Sequence, residues 1–257
     1  MTGTDCKPII EVIEENYEIP QLNATRKISA LLPHDYYNSD KKYPVLYLQD
    51  GQNLFNPEAQ YGDWAIDKSM AKLAEEGFGD VIIIAVDHGE EERILEYLPY
   101  THPRFGEGKG KFYIQFLIEK LIPYINKNYR TLPDFEHTGI GGSSMGGLIS
   151  LHAGLRNPRV FGKLMIFSPS LWISKMVFDH TKSFKPLEKS KIYLYAGGKE
   201  SIEHLPNAHK LGGIISEKMV KGFHIDFHFS INNEGSHSEI YWRKEFPKAV
   251  EWLFFKS

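Results

Sequence analysis

The chain has 257 residues, with 30 Lys and Arg against 33 Asp and Glu, for a formal net charge of −3. That balance excludes the basic footprint of a nucleic-acid-binding surface and any acidic tail, and the length suits one α/β domain over residues 1–257 with a sizeable core. The single cysteine, Cys6, excludes a disulfide framework and a cysteine-rich zinc site. Apolar runs such as 81–86 are far short of the roughly 20 residues that span a bilayer. The first eight residues show no basic region followed by an apolar stretch, so a soluble, cytoplasmic protein is expected.

In chain order, two extended pieces come first, 10–19 and 25–32, separated by turn residues. Short buried-strand runs follow at 44–48, 81–86, 138–141, 163–167 and 191–196, with helical patterns between most of them. Asp63 is expected to cap a helix whose core face is Ile66, Met70 and Leu73. Tyr113, Leu117, Leu121 and Tyr124 repeat that spacing, with Pro123 kinking or shortening the helix. The pattern recurs at Leu211, Ile215 and Met219, and Gly222 ends it. A last strand at 223–230 alternates apolar residues with His224, Asp226 and His228, which read as a solvated face and not as metal ligands. The closing helix turns Trp242, Phe246, Val250 and Leu253 inward. Continuous apolar strands alternating with helices predict an α/β fold: a mostly parallel, doubly wound sheet with helices on both faces.

The chemistry sits at Gly142-Ser143-Ser144-Met145-Gly146, which fits G-x-S-x-G between a strand ending near 141 and a helix over 147–155. The constraint is steric: a serine on so tight a strand-to-helix turn needs small residues two positions either side. Its base and orienting acid are expected after it in the order acid, then histidine. Glu200 follows Gly197-Gly198-Lys199 after one strand and His237 follows Gly235-Ser236 after the next, both at carboxyl ends, with Glu203 as the competing acid. For the oxyanion, the expected donors are the amides of Met145 and of Gln52, after Asp50-Gly51 at the end of an early strand. Asp87 and His88 are expected to shape the site edge by packing or capping, and Gly106–Gly110, a G-x-G-x-G with no strand before it, reads as a flexible rim.

The segments 42–55, containing Leu48-Gln49-Asp50-Gly51-Gln52-Asn53, and 141–147 resemble those of the Putative esterase family of α/β-hydrolases. Pro123-Tyr124-Ile125, Tyr129-Arg130-Thr131, Ser168-Pro169-Ser170-Leu171-Trp172, Gly235-Ser236-His237 and Trp242-Arg243 extend the resemblance over about residues 15–255. It implies the α/β-hydrolase fold and a serine esterase with Ser144 as nucleophile, His237 as base and Glu200 at the acid position. The family includes siderophore, formylglutathione, feruloyl and acetyl-xylan esterases. Ser143 stands where the formylglutathione branch has His, and an extra N-terminal domain like that of the enterochelin esterases is not expected.

Between residues 171 and 189 the cap is short, and Trp172 and Phe178 there are expected to meet the substrate. Arg104 is the one further side chain that could meet an anionic group. The expected activity is therefore hydrolysis of small soluble carboxylic esters without cofactor or metal, and without a nucleic-acid or membrane partner; a siderophore trilactone or a feruloyl or acetyl sugar ester is the alternative substrate. The non-enzymatic alternative, a binding protein on a relic scaffold, would be expected to have lost one of the three residues.

Overall fold

In a computed structural model, residues 6–256 are described; the first five residues of the N-terminal segment read above lie outside them. The strands are β1 (Ile9–Ile19), β2 (Ala24–Leu32), β3 (Val45–Gln49), β4 (Ile82–Val86), β5 (Thr101–His102), β6 (Gly106–Glu107), β7 (Thr138–Ser143), β8 (Lys163–Phe167), β9 (Ser190–Gly197) and β10 (Ile225–Asn232). The helices are α1 (Ile66–Glu75), α2 (Arg93–Glu96), α3 (Gly110–Phe116), α4 (Ile122–Asn128), α5 (Ser144–Arg156), α6 (Met176–Ser183), α7 (His204–Val220) and α8 (Glu239–Val250). Eight strands form one sheet in the order β1-β2-β4-β3-β7-β8-β9-β10. Only the β1–β2 and β2–β4 pairs are antiparallel; from β4 to β10 every neighbour is parallel.

The inner strands β3, β4, β8 and β9 are mostly apolar because both faces are covered, and their period of two divides the core. Val45, Tyr47, Ile82, Ile84, Leu164, Ile166, Ile192 and Leu194 pack with α3 to α7. Their neighbours Leu46, Leu48, Ile83, Ala85, Met165, Phe167, Tyr193 and Tyr195 pack with α1 and α8 on the opposite face. This is the α/β-hydrolase fold.

Several local expectations need correction. Asp63 accepts the Ala65 amide at 2.7 Å but does not occupy the cap; Ala65 does, at φ 46°. Met219 is 37% exposed, and the neighbouring Lys218 takes the inward position because its ammonium donates to the Phe184 carbonyl at 2.7 Å. Tyr124 is also exposed, packing edge-on to Tyr17. The helical run bearing Pro123 is not broken: Leu117–Leu121 takes a π turn just before it, relieving the ring's clash with the preceding turn. The last strand begins two residues late, and His228 lies against the Tyr193 and Trp252 rings. The glycine-rich segment after β5 is pinned: the Gly108, Lys109 and Gly110 amides donate to the Tyr100, Leu95 and Leu98 carbonyls.

Candidate active site

Six strand-end turns bring the candidate residues together: 50–53 after β3, 87–88 after β4, Ser144 after β7, 168–172 after β8, Glu200 after β9 and His237 after β10. All lie at the carboxyl edge of the parallel strands, where the diverging connections leave a crevice.

Ser144 has φ 56°, the left-handed region that non-glycine residues seldom occupy. The elbow closes because its flanks are glycine. A Cβ on Gly142 would sit 2.9 Å from the Gly146 carbonyl carbon, and one on Gly146 would sit 2.8 Å from Asp50 Oδ2. Asp50, at φ 60°, and Ser168, at φ 43°, turn by the same left-handed step at the ends of β3 and β8. The Ser144 carbonyl accepts the Ser170 amide at 3.0 Å, and the two hydroxyls lie 3.3 Å apart.

Glu200 and His237 are paired, with His237 Nδ1 2.6 Å from Glu200 Oε2. The competing Glu203 is exposed and makes no such contact. The Glu200 carboxylate is almost wholly buried; its Oε1 accepts from the Ser168 hydroxyl at 2.6 Å and the Gly197 amide at 2.7 Å. Trp242 Nε1 donates to the same Ser168 hydroxyl at 2.9 Å, and the Trp242 indole meets the His237 ring edge-on. Burial works to raise the Glu200 carboxyl, but hydrogen bonds from His237, Ser168 and Gly197 with the attraction of His204 outweigh it and hold it below the ordinary glutamate range.

Ser144 and His237 both line two adjoining recesses of about 430 and 410 Å³. The first is bounded also by Asp50, Asn53, Tyr61, His88, Glu90 and Glu239, the second by Met145, Ser170, Trp172, Glu200 and His204. Arg93 borders both, locked in a two-pronged ion pair with Asp50 at 2.6 and 2.9 Å. His88 accepts the Glu90 amide on Nδ1, and burial holds its imidazole below the usual range.

Met145 is the second residue of α5, where a backbone amide has no acceptor within the helix. Gln52 lies in the single turn Gly51–Asn53, its side chain accepting the His88 amide at 2.9 Å and so tying the end of β3 to that of β4. Asp50 and Asn53 line the Ser144 recess beside it, while Gln52 itself lines a smaller neighbouring one. Trp172 is 55% exposed and borders Ser144's second recess. Phe178 does not join it: the ring is 3% exposed and lines a separate recess behind Trp172 and Lys210. Arg104 sits over the Phe105 ring and lines neither of the Ser144 recesses. Sequence reasoning missed His204, Ser168 and the Arg93–Asp50 pair; the only signal was the Ser168–Trp172 segment, which gave no role for Ser168.

No group of three or more His, Cys, Asp or Glu among the described residues is arranged to hold a metal, and no helix among them is long and apolar enough to cross a membrane.

A strained serine between a parallel strand and a helix, at one crevice with a carboxylate-bound histidine, is the arrangement of the α/β-hydrolase class. The chain belongs to the Putative esterase family, whose pattern matches residues 19–253. The uncharacterized protein YbbA of Bacillus subtilis is 28% identical over 246 residues, covering 90% of this chain and 94% of its own. Among solved structures, the BES protein of Bacillus cereus superposes with a TM-score of 0.76 at 20% identity, over 98% of this chain and 96% of that one. The enterobactin esterase FES of Shigella flexneri gives 0.74 at 18% identity, over 98% of this chain and 59% of that one.

Proposed function

We propose that the protein is a single-domain serine carboxylic-ester hydrolase acting on small soluble esters. The observation that carries the reading is a left-handed Ser144 lining the same crevice as a histidine held through Nδ1 by a buried carboxylate. With Nδ1–H donated to Glu200, the His237 Nε2 is free to accept a proton. Ser144 Oγ attacks the ester carbonyl as its proton passes to His237, and the resulting imidazolium is stabilised by Glu200 without transfer of the second proton. Amides of Met145 and Gln52 receive the oxyanion, His237 returns the proton to the departing alcohol, and an acyl-Ser144 remains. Water, deprotonated by His237, then releases the acid. Because only a neutral imidazole accepts the serine proton, activity is expected to fall in acid.

The exposed Trp172 at the mouth suits a flat acyl or alcohol part, of the kind in the feruloyl and enterobactin esters for which related proteins are named. The recesses are small and open, and an apolar pocket discriminates one methylene by only about 1–3 kcal/mol, so preference declines gradually with acyl length. A nitrophenyl series from acetyl to palmitoyl tests this. Acetyl to butyryl esters are cleaved best, and the activity is absent from Ser144→Ala. A kcat/KM maximum at the long-chain end refutes the substrate class; no hydrolysis of any member by the folded protein favours a binding protein on a hydrolase scaffold.

A further inference from the structure

The crevice contains a second imidazole that the reaction leaves unused. His204, the first residue of α7, is only 8% exposed and lines the same recess as Ser144 and His237. Its Nε2 lies 3.2 Å from Glu200 Oε2, the oxygen that also receives His237 Nδ1, and makes no hydrogen bond. The approach is close but off the hydrogen-bond angle, and such contacts at catalytic sites often align only when substrate is bound. The His204 and His237 rings stand edge to face, 6.0 Å between centroids. The turn is itself braced, because the His204 amide donates to the Ser201 carbonyl at 3.0 Å. One stretch of five residues thus presents both the acid and a second imidazole.

We infer that His204 is a positioning residue for the acid–base pair: it donates Nε2–H to Glu200 Oε2, fixes the carboxylate against His237 and draws charge from the shared oxygen. The inference rests on the triad reading above. Oε1 is already occupied by Ser168 and Gly197, so Oε2 alone is left to divide between the two imidazoles. A buried N–H left without an acceptor is costly, and Glu200 Oε2 is the acceptor it faces. The titratable groups facing His204 are Glu200 and His237, with Arg93 on the same recess. Burial is the largest influence and holds His204 below the ordinary histidine range, ahead of the opposing pull of Glu200, so the neutral ring is the donor near neutral pH.

Wild type, His204→Ala and His204→Gln decide it, Gln carrying an amide N–H to about the position of Nε2 without a titrating group. Two readouts are followed: the acid titration of the Glu200 carboxyl carbon by ¹³C NMR, and kcat/KM against pH. In His204→Ala the Glu200 titration moves up by about half a unit or more, the acid limb of kcat/KM moves to higher pH, and kcat falls roughly tenfold with KM little changed. His204→Gln restores both. Superposable titrations and pH profiles in wild type and His204→Ala overturn the inference, leaving His204 as packing. Should His204→Ala not fold, the wild-type ring decides: ¹⁵N NMR shows the Nε2–H tautomer if His204 donates, and the Nδ1–H tautomer refutes it. If the protein hydrolyses no ester, the functional reading fails, while the ¹³C titration still reports whether His204 acts on Glu200.

Discussion

Backbone strain at Ser144, Asp50 and Ser168 is held by what surrounds each residue. Ser144 is bracketed by Gly142 and Gly146, Asp50 is gripped by Arg93, and the Ser168 hydroxyl is shared between Glu200 and Trp242. The roles of the proposed triad members then differ in kind. Ser144→Ala removes the atom that forms the bond and is expected to lower kcat by about 10⁴-fold or more, whereas Glu200→Gln removes an orienting charge and costs less. Steady-state kinetics of the two variants check the order, and near-normal turnover by Ser144→Ala contradicts it. The placement of Ser144, Glu200 and His237 at the strand ends was legible because steric need ties a serine on a tight turn to flanking glycines and chain order puts the other two after later strands. Ser168 and His204 were not: each acquires a role only when the ends of β8, β9 and β10 meet, a relation that no local spacing records. Phe178 lines a recess other than that of Ser144, and position between two core strands does not say toward which side a ring turns.

Among elements, the tie between the β3 turn and α2 carries most. Arg93, from α2, reaches Asp50 in its left-handed turn, and both side chains are largely buried. Removing one partner leaves the other charge buried and uncompensated, at a cost of about 3–5 kcal/mol. Arg93→Met is therefore expected to lower the melting temperature on the order of 10 °C and to reduce kcat, since the turn holding Gln52 loses its brace. Calorimetry and kinetics on that variant test it, and an unchanged melting temperature means that the pair is dispensable. The strands of the large sheet were legible to within two residues at either end, whereas the short β5–β6 pair was not. Less so were helix details decided by tertiary partners: Lys218 turns inward for the Phe184 carbonyl, and a π turn absorbs Pro123.

At the scale of the molecule, buried titrating groups set the response to acid. Burial first, and then the charges of His180 and Arg156, push His152 from 6.5 down to about 3. Its folded value lies below its unfolded one, so the stability it lends is complete above about 6.5 and is lost as pH falls toward about 3. His88, His180, His204 and His228 are shifted the same way by burial. Asp87 opposes them: burial raises it from 3.8 to about 6, so its contribution is present below 3.8 and lost as pH rises through about 6. The histidine gap is the wider, and four further histidines share its sign. Melting temperature is thus expected to fall between pH 7 and pH 4, and to fall less in His152→Leu. An equal fall in both proteins, measured by thermal scans across that range, contradicts the assignment to His152.

The central claim, that Ser144 is a nucleophile activated by His237 and Glu200, is tested most directly by a fluorophosphonate, which traps an activated serine covalently. Intact-mass measurement on the folded protein is expected to show one adduct, mapped by peptide sequencing to Ser144, absent from Ser144→Ala and formed much more slowly in His237→Ala. A folded wild-type protein that gains no adduct, or gains it at another serine, contradicts the claim.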